Sequence, residues 1–179
     1  MKIISLHSVT PALSLDIHPD STVVMSGRPL FLPEDSGEMV AEGHLAVRIS
    51  RLGKNISVKF ASRYYDAVTL LLRILPASGI PEGMEGVYSA LDASSVMGEW
   101  CDRDVVTTPF EVTLDGKNYQ MEALVSGIET AIHEVSRYMT LKIGDVLLLP
   151  VFGVTSPLSP SSHLHASIGA SEVIDVKIV

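Results

Sequence analysis

Ser126-Gly127-Ile128-Glu129, running on to Met139-Thr140-Leu141-Lys142-Ile143-Gly144-Asp145-Val146-Leu147, is the stretch that decides how this chain is read. Ser126 and Glu129 have the spacing of a capping box, in which the hydroxyl accepts from an N3 amide and the carboxylate reaches back to the cap. Ile128, Ala131, Ile132, Val135 and Met139 recur at helical spacing and draw one apolar stripe. Residues 141–145 then make a turn, and the apolar run 146–149 reads as a buried strand.

Working outward, 110–125 alternates around Asp115-Gly116, the signature of a β-hairpin with arms 110–114 and 119–125. Residues 150–162 form a Pro/Ser loop, and the chain ends in a strand pair, 163–168 and 173–179, about a turn at Gly169. Upstream, 67–75 is an almost unbroken apolar run closed by Pro76, as expected of a central strand. Before it, a short helix over 58–65 starts near Asn55 or Ser57 and turns Phe60, Ala61 and Tyr64 inward. Leu45, Val47 and Ile49 share one face of a half-buried strand at 44–50. The stretch 76–108 is rich in Gly, Pro and Ser, with 87–91 as its one ordered-looking piece. Residues 1–32 read as short strands and turns, and 33–38 as a polar loop. With no repeat and no linker, the expected class is α+β: N-terminal strands 1–26 ahead of a main domain 27–179, forming one compact unit.

The chain has 179 residues, enough to bury a core, and is 46% hydrophobic with only 19% charged residues. The apolar excess leads us to expect a homodimer. A net charge of −8 with no Lys/Arg run argues against nucleic acid or an anionic membrane surface as partner. The N-terminus turns polar too soon for a signal segment, and no apolar run approaches the ~20 residues that span a bilayer, so a cytoplasmic protein is the expectation. One cysteine, Cys101, excludes an internal disulfide.

Three landmarks, in order, resemble the fumarylacetoacetate hydrolase (FAH-like) family over about residues 27–179. Leu114-Asp115-Gly116-Lys117 with Gln120 is similar to the family's Asn-Gly-Glu…Gln hairpin. Glu134-Val135-Ser136 and 139–147 resemble its helix end, its Thr-Leu-x-x-Gly-Asp turn and the following strand, with Gly153-Val154 where the family has Gly-Val. Glu42-Gly43-His44-Leu45-Ala46-Val47-Arg48-Ile49 is similar to the strand Glu-x-Glu-Leu-Ala-Val-Val-Ile. Asn55-Ile56-Ser57, Ala61 and Tyr64, leading into 67–75, resemble the helix and strand that end in Asn-Asp-Val. The fold this resemblance implies is that of the FAH-like C-terminal domain, an antiparallel-rich mixed β-sandwich or roll with a few short helices.

In such a protein the resemblance implies a divalent cation, usually Mg²⁺, held by the two Glu of Glu-x-Glu and the Asp of Asn-Asp-Val. That ion would stabilise the enolate of a 2-keto acid or acylpyruvate. Carried over, only Glu42 remains as a metal ligand. His44 takes the second Glu position and Arg73 the Asp position, with Leu72 for Asn. An arginine repels Mg²⁺ and stays protonated, so Arg73 is expected to fill the cation position and pair with Glu42. The family's Lys-x-x-Asp falls at Ser89-Ala90-Leu91-Asp92, keeping Asp92 and losing the lysine. The carboxylate-binding Thr-Gly-Thr-Pro is replaced by Leu149-Pro150-Val151-Phe152, which puts Val151 at the pocket. The lid region between Pro33 and Glu42 is short.

The expectation is a divergent member with a degraded metal site and no resident cofactor, non-catalytic or binding a small 2-keto-acid-like molecule. The alternative is an active Mg²⁺-dependent hydrolase, isomerase or decarboxylase of 2-keto acids or acylpyruvates, with Glu42, His44 and Asp92 converging on a rearranged site. Elsewhere, His163 and His165 share a strand face and read as solvated for want of a third ligand. The acidic run Asp92, Glu99, Asp102, Asp104 reads as a loop, Cys101 as an unreactive thiol, and His133 as a boundary residue of its helix.

Overall fold

A computed structural model describes residues 1–32, 37–106 and 110–179. The expected loop at 33–38 and the end of the Gly/Pro/Ser-rich stretch fall partly outside them. In chain order the elements are β1 (Lys2–Ser8), β2 (Ser14–Pro19), β3 (Val23–Met25), β4 (Met39–Ile49), α1 (Val58–Ala61), β5 (Tyr65–Pro76), α2 (Glu85–Ala90), β6 (Ser95–Met97) and β7 (Cys101–Asp102). There follow β8 (Glu111–Leu114), β9 (Lys117–Gln120), α3 (Glu122–Val125), α4 (Ile128–Tyr138), β10 (Val146–Leu148), β11 (Gly153–Val154), β12 (His163–Ile168) and β13 (Ser171–Lys177).

Among the described residues the strands make a nine-stranded mixed sheet in the order β2-β1-β10-β4-β5-β6-β3, with β11 on β4 and β7 on β5. A second, four-stranded sheet runs β13-β12-β8-β9. The pairs β1–β10 and β3–β6 are parallel and the others antiparallel. The class is therefore α+β and sheet-dominated, with few and short helices. The strands at 1–26 belong to the large sheet, where β1 lies between β2 and β10.

β4 and β5 form the long central pair, and alternation along them separates two environments. Ala41, Leu45, Val47 and Ile49 of β4 face the main core with Val68, Leu70, Leu72 and Ile74 of β5. There they meet the α4 stripe, Ile128, Ala131, Ile132 and Val135, and the small sheet's Val112, Leu114, Leu164, Ile174 and Val176. The opposite face carries a smaller apolar patch, Ile3, Ala46, Leu71, Met97, Val146 and Leu148. β4 is thus buried on both faces rather than on one, with the main core against one face and the smaller apolar patch on the other.

Several local expectations are corrected. Ser126 does not cap α4: its backbone is helical and closes α3, and its hydroxyl donates to the Ala123 carbonyl at 2.9 Å. The helix begins one residue later on Gly127, with the predicted stripe buried. The second hairpin arm stops at Gln120, because residues 122–125 turn into α3. The short helix is one turn, 58–61, with Ala61 inward and Phe60 exposed. Residues 30–32 make only an isolated bridge, Leu30 to Ile178.

One glycine fixes how the site is framed. A Cβ on Gly43, which lies on the core face between Glu42 and His44, would sit 2.6 Å from Phe152 Cζ and 2.9 Å from Leu114 Cδ2. Phe152 is held there by its amide, which donates to the Gly43 carbonyl at 3.0 Å. Gly43→Ala is expected to lower stability by about 1–3 kcal/mol through overpacking; an unchanged urea midpoint would refute this.

Candidate functional site

Glu42 and Arg73 are direct cross-strand partners, as are His44 and Leu71. Directly opposed residues of an antiparallel pair point to the same side, so Glu42, His44 and Arg73 share the face that bears the smaller apolar patch. The expected ion pair does not form among the described residues: Glu42 raises the proton affinity of Arg73 through space, without a contact within 4.0 Å. Burial acts the other way and lowers it, and the guanidinium remains charged.

His44 is fully buried, and its Nδ1 lies 2.8 Å from the Leu149 carbonyl. A carbonyl only accepts, so Nδ1 carries the proton and Nε2 presents a lone pair. That Nε2 has no partner among the described residues. Burial, with Arg73 adding to it, takes the His44 pKa from 6.5 down to about 4 against the opposing pull of the Leu149 bond.

Residues that sequence reasoning missed complete this face. Ser5 on β1 pairs with Leu148 on one side and Asp16 on the other, and His18 pairs with Ile3. These pairings put Ser5, Asp16 and His18 on the side of His44. Helix α2 packs against β2, and His18 Nδ1 donates to the Ser89 carbonyl at 2.8 Å. Burial and then Arg73 lower the His18 pKa. Ser5 Oγ and His18 Nε2, like His44 Nε2, are buried without a hydrogen-bond partner. Buried polar atoms left unpaired cost about 1–3 kcal/mol each, so three on one sheet face, beside a buried guanidinium, mark a place built to be completed by something polar.

A cleft of about 440 Å³ opens nearby, lined by His7, Thr10, Gly127, Thr130, Leu149 and Pro150, but Glu42, His44, Arg73, Ser5 and His18 do not line it. It sits at the loop where the carboxylate-binding motif was expected, and Val151 stands exposed in that loop. Asp92 is not part of the set. It is exposed in the turn after α2, against a small cleft of about 50 Å³ beside Leu30, Met39 and Ile74, which open toward the main core. Glu42 and His44 thus share one face of the central pair, while Asp92 lines a separate cleft with Leu30, Met39 and Ile74.

The residues present do not fit a hard divalent cation. Glu42 supplies carboxylate oxygen, but the His44 nitrogen nearest a carbonyl is engaged, and Arg73 brings a permanent positive charge to the same face. Cys101 lies elsewhere, its thiol pKa raised by burial and by Glu99, as an unreactive cysteine requires. No helix among the described residues is long and apolar enough to cross a membrane.

Comparison with known proteins agrees with this architecture. The family described as fumarylacetoacetate (FAA) hydrolase C-terminal matches residues 8–178. Among solved structures, a fumarylacetoacetate hydrolase family protein from Yersinia pestis CO92 superposes with a TM-score of 0.81 at 19% identity, covering 99% of this chain and 92% of that one. A 2-hydroxyhepta-2,4-diene-1,7-dioate isomerase from Mycobacterium marinum gives 0.82 at 20% identity, covering 99% and 74%. The fumarylpyruvate hydrolase from Pseudomonas aeruginosa, in complex with Mn²⁺ and pyruvate, gives 0.75 at 18% identity, covering 99% and 88%. Among curated proteins none matches by sequence.

Proposed function

The chain belongs to the fumarylacetoacetate (FAA) hydrolase C-terminal family, and from that premise we propose that it binds a small 2-oxo or enol acid on Arg73 without using a divalent cation. The supporting observation is the buried Arg73 beside three unpaired polar atoms, Ser5 Oγ, His18 Nε2 and His44 Nε2. A carboxylate would pair with the guanidinium, which offers a planar fork of donors. An enol or hydroxyl proton on the ligand would donate to the neutral Nε2 of His44, and Ser5 can both donate and accept. A fixed protein cation would thus hold the anionic end here, whereas the fumarylpyruvate hydrolase it resembles was solved in complex with Mn²⁺ and pyruvate. Because Arg73 places a permanent positive charge where a divalent cation would bind, we infer that metal-assisted C–C cleavage is lost or very slow.

Calorimetry with pyruvate and oxalate in the presence of EDTA tests this. Binding is expected without metal and should weaken about 10–100-fold in Arg73→Met, which keeps much of the packing volume while removing the charge. Hydrolysis of an acylpyruvate that requires Mg²⁺ or Mn²⁺ and disappears in Glu42→Ala would overturn the reading in favour of an active enzyme.

A further inference from the structure

On the outer face of the small sheet, far along the chain from Arg73, a second group of side chains has the composition of a transition-metal site. His163 and His165 alternate along β12, and their rings stack side by side with centroids 5.7 Å apart and planes 15° apart. Asp175 is the cross-strand partner of His165 on β13. Its Oδ1 lies 3.1 Å from His163 Nδ1 and 3.6 Å from His165 Nδ1. All three donor atoms fall within 4.8 Å of one another. Ligands at ~2.1 Å in a tetrahedral shell stand about 3.4 Å apart, so these spacings already approximate the edges of such a shell.

We propose that His163, His165 and Asp175 bind a divalent transition ion of the Zn²⁺, Ni²⁺ or Cu²⁺ type, with Glu172 as the fourth donor. Two imidazoles and carboxylates select these borderline ions over Mg²⁺, which wants oxygen alone. Glu172 Oε2 is 3.1 Å from His165 Nδ1, brought to this side by the bulge between Ala166 and Ser167. In the absence of an ion, protons on the imidazoles bridge to the carboxylates, and a cation replaces those protons in the same gap. The strand carrying Asp175 is held from behind: its amide donates to Ser26 Oγ at 3.0 Å, and its carbonyl accepts from the Gly27 amide at 3.0 Å. The ligands therefore sit on paired, anchored strands rather than on a free loop, which lowers the ordering cost of binding. Lys177 opposes His163 in register and is the counter-argument within the site, but its long stem can carry the ammonium outward. Because the ligands bridge β12 and β13, the ion would also clamp the C-terminal hairpin.

The test uses the full chain without a histidine tag, titrated with Zn²⁺ against a chelator and with Co²⁺ by visible absorption. One equivalent is expected to bind, with cobalt showing the strong bands of a tetrahedral site and saturating Zn²⁺ raising Tm by about 5 °C. His163→Gln and His165→Gln are each expected to weaken binding about 100-fold, and Asp175→Asn about 10-fold. His133→Gln, on α4, should leave binding unchanged. All three ligand side chains are exposed, so these variants keep the fold. Failure to bind one equivalent of Zn²⁺, or binding that survives His165→Gln intact, would overturn the site. Neither result bears on Arg73, which is tested with metal chelated.

Discussion

Taking the protein from about pH 7.5 to about pH 4 is expected to remove about 3 kcal/mol of stability, most of it through His44. In the unfolded chain this imidazole titrates near its ordinary 6.5, and in the folded protein near about 4. Because the folded pKa is the lower one, the unfolded state takes up the proton first as the pH falls. Stability is therefore fully present above about 6.5, is lost across the window between 6.5 and 4, and levels off below it. The group is wholly buried, so solvent screening does not reduce the effect. His18, lowered in the same direction, adds to the slope. Urea unfolding across this range provides the measurement, with His44→Gln as the comparison. Glutamine can still donate to the Leu149 carbonyl but does not titrate, so its pH profile should be much flatter. A His44→Gln variant with the same slope as the parent would eliminate His44 as the cause. The same buried charge cost keeps His44 neutral at Arg73, so this experiment also probes the protonation state the ligand-binding proposal needs.

A second large effect is expected at Asp145, the acid of the Thr-Leu-x-x-Gly-Asp stretch. Its carboxylate is buried and accepts from the Lys142 amide at 2.8 Å and the Lys2 amide at 3.1 Å, and it pairs with the Lys2 ammonium. Burial alone would raise its pKa. The Lys2 side chain and the two amides outweigh that and hold it below the ordinary carboxylate value. Its contribution is thus present above about pH 4 and lost only at more acid pH, outside the His44 window. Asp145 ties the first residue of β1 to the turn that launches β10, the two strands being parallel neighbours in the large sheet. Asp145→Ala leaves two amides without their acceptor and the Lys2 ammonium with only the Thr140 carbonyl, and is expected to cost about 3 kcal/mol. Lys2→Met should cost about 1 kcal/mol, because Lys2 is partly exposed and both amide bonds survive. Comparable small losses in the two variants, in denaturant titrations at neutral pH, would show that the carboxylate is not the organising group.

The role of Asp145 also shows how the family likeness was legible. A Gly-Asp turn is a local object: Gly144 takes a φ of +84°, and the Asp side chain reaches a backbone amide three residues away. The same is true of the Asp115-Gly116 hairpin, the α4 stripe and the apolar run of β5, each of which follows from side-chain periodicity over a few residues. That Glu42 and Arg73 stand opposite each other was within reach too, because two long alternating strands carry their faces with them, although the ion pair expected between them does not form among the described residues. The cap at Ser126 was misread because a preceding helical turn, α3, claimed that residue's backbone and hydroxyl, and a four-residue helix leaves no periodic signal.

What the chain determined by itself, then, is most of its elements, its class and the central strand pair. Only the tertiary structure decided what surrounds them. Ser5, Asp16 and His18 lie on short strands whose polar alternation reads as a solvent face. Ser5 and His18 become interior, while Asp16 stays half-exposed, because the order β2-β1-β10-β4-β5 places them beside the central pair and α2 packs against β2. His163 and His165 gained the third ligand that sequence alone withheld, Asp175, ten residues beyond His165 and opposite it in the ladder. Local periodicity records which side chains share a face of one strand. Which strands become neighbours depends on burial summed over the whole sheet, and that sum is not written in any one segment.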